Sequence, residues 1–140
     1  MKVGVDTNIF LNVLREEGKL TKGSVEFFEL VEGKKIDIVV SVITLTELFR
    51  GVFKLQSTEK REELDSFFHV LKAKPIPITS DPAIEAARLI ENIHIRFADA
   101  IIAASMHFAG INIFVTRNKK DFRNTELEVV TPEEFIEKYS

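Results

Sequence analysis

Four carboxylates stand where the apolar patterns of this sequence break off. Asp6 ends the run Val3-Gly4-Val5 inside VDTNIF (5–10), and Glu47 lies within VITLTELFRGVFKL (42–55). Asp99 heads the small-residue run of RFADAIIAAS (96–105), and Asp121 follows INIFVT (111–116) inside TRNKKDF (116–122). Acids gathered at one place repel one another, and a multivalent cation is the simplest way to keep them ionised. Oxygen ligands without any cysteine point to Mg²⁺ or Mn²⁺, hard cations that retain water and accept phosphate oxygens. The chemistry expected of such a set is metal-assisted phosphodiester hydrolysis, in which the cation orients the phosphate and lowers the pKa of an attacking water. Each acid also has an ordinary explanation. Asp6 and Asp99 suit helix starts, Glu47 suits an ion-paired helix surface, and Asp121 suits a turn. Four scattered acids have low specificity by themselves.

The elements that must position these groups read as alternating strands and helices. Residues 2–6 form a strand-like run, and 8–16 carry a short helical period in Ile9, Phe10, Val13 and Leu14. KGSVEFFELVE (22–32) is helical and is ended by Gly33, and the β-branched stretch 36–40 is a strand. The segment 42–55 takes a helical period with Leu45, Phe49, Val52 and Phe53 as its expected buried stripe. A second helix is expected over about 58–71. KPIPIT (74–79), with two prolines, suits a short or edge strand, and Ser80-Asp81-Pro82 starts a helix with Pro82 at its first position. The helix from Ala98 to Phe108 is stopped by Gly110 and followed by a strand over 111–116. Asp121-Phe122 is expected in a polar loop or short turn, and Glu128–Val130 in a last strand. Thr131 and Pro132 then open a terminal helix. This alternation predicts one α/β domain over 1–140, with three layers and a central parallel sheet of four or five strands. In such a sheet all carboxyl strand ends share one edge, and Asp6, Asp99 and Asp121 lie close to it in sequence.

Composition sets bounds on the partners. The net charge of −3 argues against a generally basic nucleic-acid coat, although local charge decides binding at a site. Twelve Phe against one Tyr and no Trp suggest aromatics used as core filler. No apolar stretch reaches the length of about 18 residues that spans a bilayer, and the start of the chain lacks a signal-peptide layout. A soluble, cytoplasmic protein without a membrane partner is the expectation. His69, His94 and His107 make no metal-ligand pattern, and no Gly-rich phosphate loop or Ser/His/Asp arrangement occurs.

The residues around the acids carry more information than the acids do. VDTNIF, SVITLTEL (41–48), FADAIIAAS (97–105) and TRNKKDF occur in this order along essentially the whole chain. Together they resemble the PIN-domain family, and particularly the VapC-type toxins of prokaryotic toxin–antitoxin pairs. The resemblance implies an Mg²⁺- or Mn²⁺-dependent ribonuclease with Asp6, Glu47 and Asp99 as its principal metal-site acids. Asn8 and Thr116 match polar positions that line the same site. Asn118 stands in a slot that is often acidic, so Asp121 becomes the candidate fourth carboxylate, with Asn118 supplying a neutral oxygen or a water contact. Arg96, Arg117, Lys119, Lys120 and Arg123 lie near the acidic motifs and are the expected RNA phosphate contacts, ordinary surface charge being the alternative for each. The resemblance also implies a homodimer and a cognate VapB-type antitoxin. The Phe-rich helices (Phe27, Phe28, Phe49, Phe53, Phe67, Phe68) are expected to supply part of those surfaces, with hidden core as the competing explanation. The rival function is a PIN fold with weak turnover that serves as an RNA-binding or protein scaffold. A phosphatase or receiver domain is disfavoured because Asp6-Thr7-Asn8 lacks a second acid.

Overall fold

A computed structural model of the chain describes residues 1–140. Five strands, β1 (Lys2–Val5), β2 (Asp37–Ser41), β3 (Lys74–Ile76), β4 (Ile113–Val115) and β5 (Glu128–Val130), form one sheet. Their order is β3-β2-β1-β4-β5, and every neighbouring pair is parallel. The helices are α1 (Thr7–Leu14), α2 (Lys19–Gly33), α3 (Val42–Leu55), α4 (Thr58–Leu71), α5 (Ser80–Ile93), α6 (Phe97–Phe108) and α7 (Pro132–Tyr139), with a 3₁₀ turn over Lys119–Phe122. Strand side chains alternate between the two faces. Ile38, Val40, Ile113 and Val115 join the larger apolar cluster with Phe10, Phe27, Phe28, Leu48, Leu64 and Phe135. Val39 and Phe114 point the other way, into a second cluster with Ile102, Met106 and Phe122. Helices on both faces of a parallel sheet bear out the three-layer expectation.

The chain leaves β1 towards β2 on one side and returns through β4 on the other. The strand order therefore reverses between β1 and β4, and open α/β sheets form a crevice at the carboxyl ends of such a pair. Gly4 lets α6 pack closely on β1: a Cβ there would lie 2.7 Å from Met106 Sδ and 2.9 Å from Phe114 Cδ1 and would push those side chains away.

Several elements differ from their expected form. The α1 helix ends at Leu14 and not at residue 16, because the chain turns through left-handed Glu16 and Gly18. Gly33 is the last residue inside α2 and not its stop. Thr79 caps α5, so Pro82 sits in the third helical position and not the first. The α3 helix buries Thr44, Leu48 and Val52, while Phe53 is 61% exposed. Ser41 accepts from the Thr44 amide and starts α3 directly at the end of β2, which fixes a phase that apolar content alone does not reveal. Five of the six aromatics expected at partner surfaces contribute to the core, Phe27 and Phe28 being buried and Phe49, Phe67 and Phe68 packing against it, although Phe28 and Phe67 also line an open groove between α2 and α4. Phe122, expected in a polar region, is buried against Phe114 with ring centroids 4.7 Å apart.

Candidate active site

Asp6 is both the residue after β1 and the N-cap of α1. Its Oδ1 accepts from the Thr7 amide at 2.8 Å, so capping is one of its roles. Its Oδ2 accepts from Thr116 Oγ1 at 2.7 Å and from Asn8 Nδ2 at 3.2 Å. Thr116 follows β4, whose register opposes Val115 to Val5, and that pairing brings the two side chains together. Asn8 also donates to Thr116 Oγ1 at 3.3 Å, and the Arg117 amide holds the Asn8 carbonyl at 3.1 Å. The Asn118 amide donates to Thr116 Oγ1 at 3.0 Å, which is this residue's contact in the network.

This carboxylate is buried, and burial pushes its pKa up to about 6. The bonds from Thr116 and the Thr7 amide oppose that shift, while the charges of Glu47 and Asp99 add to it. Glu47, on the second turn of α3, is tied to α1 by Thr7 Oγ1 at 2.8 Å. Asp99, in the first turn of α6, is half-buried, and its pKa is also raised by burial. The Arg96 guanidinium opposes that rise, and Asp121 and Glu47 reinforce it. Arg96 lies between Asp99 (Nε–Oδ2 3.1 Å) and Asp121 (Nη2–Oδ2 3.3 Å), bridging two acids from an exposed position. Each of the four acids thus raises the pKa of another in the set or has its own raised by one.

The donors are all hard oxygens, a set that suits Mg²⁺ or Mn²⁺ chemically. In the observed rotamers no three acidic or histidine side chains converge closely enough to hold one ion. The Arg96 guanidinium supplies positive charge between Asp99 and Asp121.

The basic residues divide into two groups. Arg96, Lys120 and Arg123 line a cleft of about 290 Å³ together with Asp99 and Asp121. Arg117 faces inward instead. Its side chain donates to Asn12 Oδ1 at 2.7 Å, Leu20 O at 3.0 Å and Ser24 Oγ at 3.2 Å, and pairs with Glu133 at 2.9 Å. Lys119 pairs with Glu134 at 2.9 Å at the start of α7. These two cations brace α2, α7 and β4 and are not directed at the cleft. Sequence reasoning also missed Asn12, a buried hub four residues after Asn8, and Thr7, which positions Glu47. The helical spacing from Asn8 to Asn12 was the available signal. All three histidines are exposed.

A profile of the PIN domain matches residues 3–127. No curated protein matches the chain. Among solved structures, VapBC2 from Rickettsia felis, bound to a DNA fragment from its promoter, superposes with a TM-score of 0.74 at 24% identity, covering 92% of this chain and 97% of that one. A toxin–antitoxin complex from Klebsiella pneumoniae gives 0.71 at 26% identity, covering 94% and 98%. FitAcB from Neisseria gonorrhoeae gives 0.73 at 23%, covering 93% and 97%. A family match over most of the chain, on a fold shared with these structures, shows that the chain belongs to the PIN-domain family.

Proposed function

We propose that this chain is the ribonuclease toxin of a type II toxin–antitoxin pair, hydrolysing RNA phosphodiester bonds with Mg²⁺ or Mn²⁺ in the cytoplasm. The observation that carries the reading is the buried Asp6 carboxylate, fixed by Thr7, Asn8 and Thr116 at the β1/β4 crevice beside three further acids. Asp6 and Asp99 would hold the cation, with Glu47 and Asp121 completing the set directly or through water. Bound there, the ion supplies charge neutralisation on the phosphate and a water of lowered pKa. The chain's own groups do the rest. Thr116 and Asn8 fix the Asp6 rotamer, Thr7 holds Glu47, and Arg96 turns outward from the carboxylates to meet the phosphate with Lys120 and Arg123.

An antitoxin partner is supported by the toxin–antitoxin structures that share this fold and by a groove of about 530 Å³ between α2 and α4. Val25, Phe28, Phe67, Val70 and Leu71 give that groove an apolar floor, and Glu29, Glu32 and Glu63 line it with negative charge. It suits an amphipathic segment with basic residues. A second copy of the chain would cover apolar side chains left exposed on α5 and α6, Ile84, Phe97 and Phe108. No helix is long and apolar enough to cross a membrane.

The test is incubation of RNA with Mn²⁺ and the wild-type chain beside an Asp6→Asn, Asp99→Asn variant. Cleavage by the wild type alone is expected. Equal cleavage by both proteins would remove the metal-nuclease reading, and absence of cleavage by either would leave the scaffold reading in its place.

A further inference from the structure

We infer that α3 carries a track for single-stranded RNA, in which Arg50 and Lys54 contact successive phosphates and the Phe53 ring stacks a base. The inference rests on the ribonuclease reading and extends it to the path of the strand outside the carboxylate cleft. Thr46, Phe49, Arg50, Phe53 and Lys54 line a shallow, open depression of about 670 Å³ on the outer face of α3. Glu47 belongs to the same helix, and Arg50 and Lys54 follow it at three and seven residues, on the same side. At about 1.5 Å per residue, the basic side chains extend roughly 10 Å along the helix from the acidic cluster.

Both cations are exposed, and neither enters any of the chain's ion pairs. No carboxylate lines the depression. The α2/α4 groove is the opposite case: it carries three glutamates and no cation, and would repel a polyanion. Charge therefore assigns the α3 face to RNA. Phe53 is the exposed aromatic of this face, and it is kept in place from below. The Arg61 guanidinium lies 5.3 Å from its ring centroid and 4.9 Å from that of Phe49, and Asp65 holds Arg61 at 3.2 Å. A supported ring with one open side is a stacking platform, and only an unpaired base offers its face to such a ring. The occupant is accordingly a single strand.

The experiment measures binding of a labelled 12-nucleotide single-stranded RNA in Ca²⁺ across a salt series, with cleavage in Mn²⁺ assayed in parallel. Arg50→Ala, Lys54→Ala should lower the slope of log affinity against log salt by about 1.4, two phosphate contacts on a single strand. Phe53→Ala should weaken binding by about five-fold or more, and Phe53→Trp should restore it. A duplex of the same sequence should bind more weakly than the single strand. An unchanged salt slope, equal binding of the duplex, or failure of Phe53→Trp to rescue would overturn the track. So would a change of oligomeric state in Phe53→Ala, which would make the face a protein interface. If the wild type cleaves RNA and the α3 variants bind as it does, the track fails alone. If the wild type binds RNA through α3 without cleaving it, the ribonuclease reading fails alone.

Discussion

Asp6 and Asp99 carry the same functional group and face the same neighbourhood, yet the protein holds them in different ways. Asp6 is buried and receives three hydrogen bonds from backbone and neutral side chains, each fixed by the β1/β4 register or by α1. Asp99 is half-buried and satisfied by an arginine that is 75% exposed and shared with Asp121. Neutral donors orient a carboxylate without cancelling its charge, whereas an exposed guanidinium offsets charge and fixes geometry less. One half of the cluster is thus preorganised at a cost in stability, and the other half is adjustable.

The largest effect expected from breaking this contrast is on turnover. Asp6→Asn keeps the shape but removes the charge, and it should lower RNA cleavage by about 10²-fold or more in a single-turnover assay with Mn²⁺. The same substitution should abolish a pH dependence of stability, whose sign follows from linkage. The native pKa of about 6 lies above the ordinary value of 3.8, so the folded chain binds more protons than the unfolded one between these limits. Stability therefore falls as pH rises through that window and stays lower by up to about 3 kcal/mol above it. Denaturant melts in EDTA should show wild-type stability falling between pH 4 and pH 7.5 by up to about 3 kcal/mol relative to Asp6→Asn. The same pH dependence in both proteins would place the strain elsewhere.

Two arginines sharpen the comparison at smaller magnitude. Arg117 is held on four sides by Asn12, Leu20, Ser24 and Glu133, and Arg117→Ala should cost about 2–3 kcal/mol in a urea melt by stranding buried partners. Arg96→Ala removes an exposed pair and should cost less than about 1 kcal/mol while weakening RNA binding. Equal losses of stability would mean that the two arginines do not differ as their burial indicates.

Much of this was legible in the sequence because it depends on local pattern. The strand-to-helix switch at Asp6, the Thr131 cap with Pro132, and Gly110 in the left-handed conformation after α6 all follow from residue type. The strand alternation gave the parallel sheet. Less was legible where three-dimensional register decides. Nothing local shows that Arg117 turns into the α2/α7 junction, or that Arg96, besides pairing with Asp99 three residues on, reaches Asp121 in the 3₁₀ turn. The phase of α3 depends on the Ser41 cap and not on its count of apolar residues, so Phe53, read both as part of the buried stripe and as a partner-facing aromatic, lies outside. The meeting of Asp6 with Thr116 across 110 residues comes from β1 and β4 being neighbours, and only the family resemblance, not periodicity, anticipated it.

The most direct test of whether the fixed and the adjustable halves serve one ion is a calorimetric titration of Mn²⁺ into the wild type, Asp6→Asn and Asp99→Asn. A single site in the wild type is expected, weakened about ten-fold or more by either substitution, although the two acids lie on different elements. No Mn²⁺ binding by the wild type, or binding that neither substitution weakens, would contradict a shared cation site.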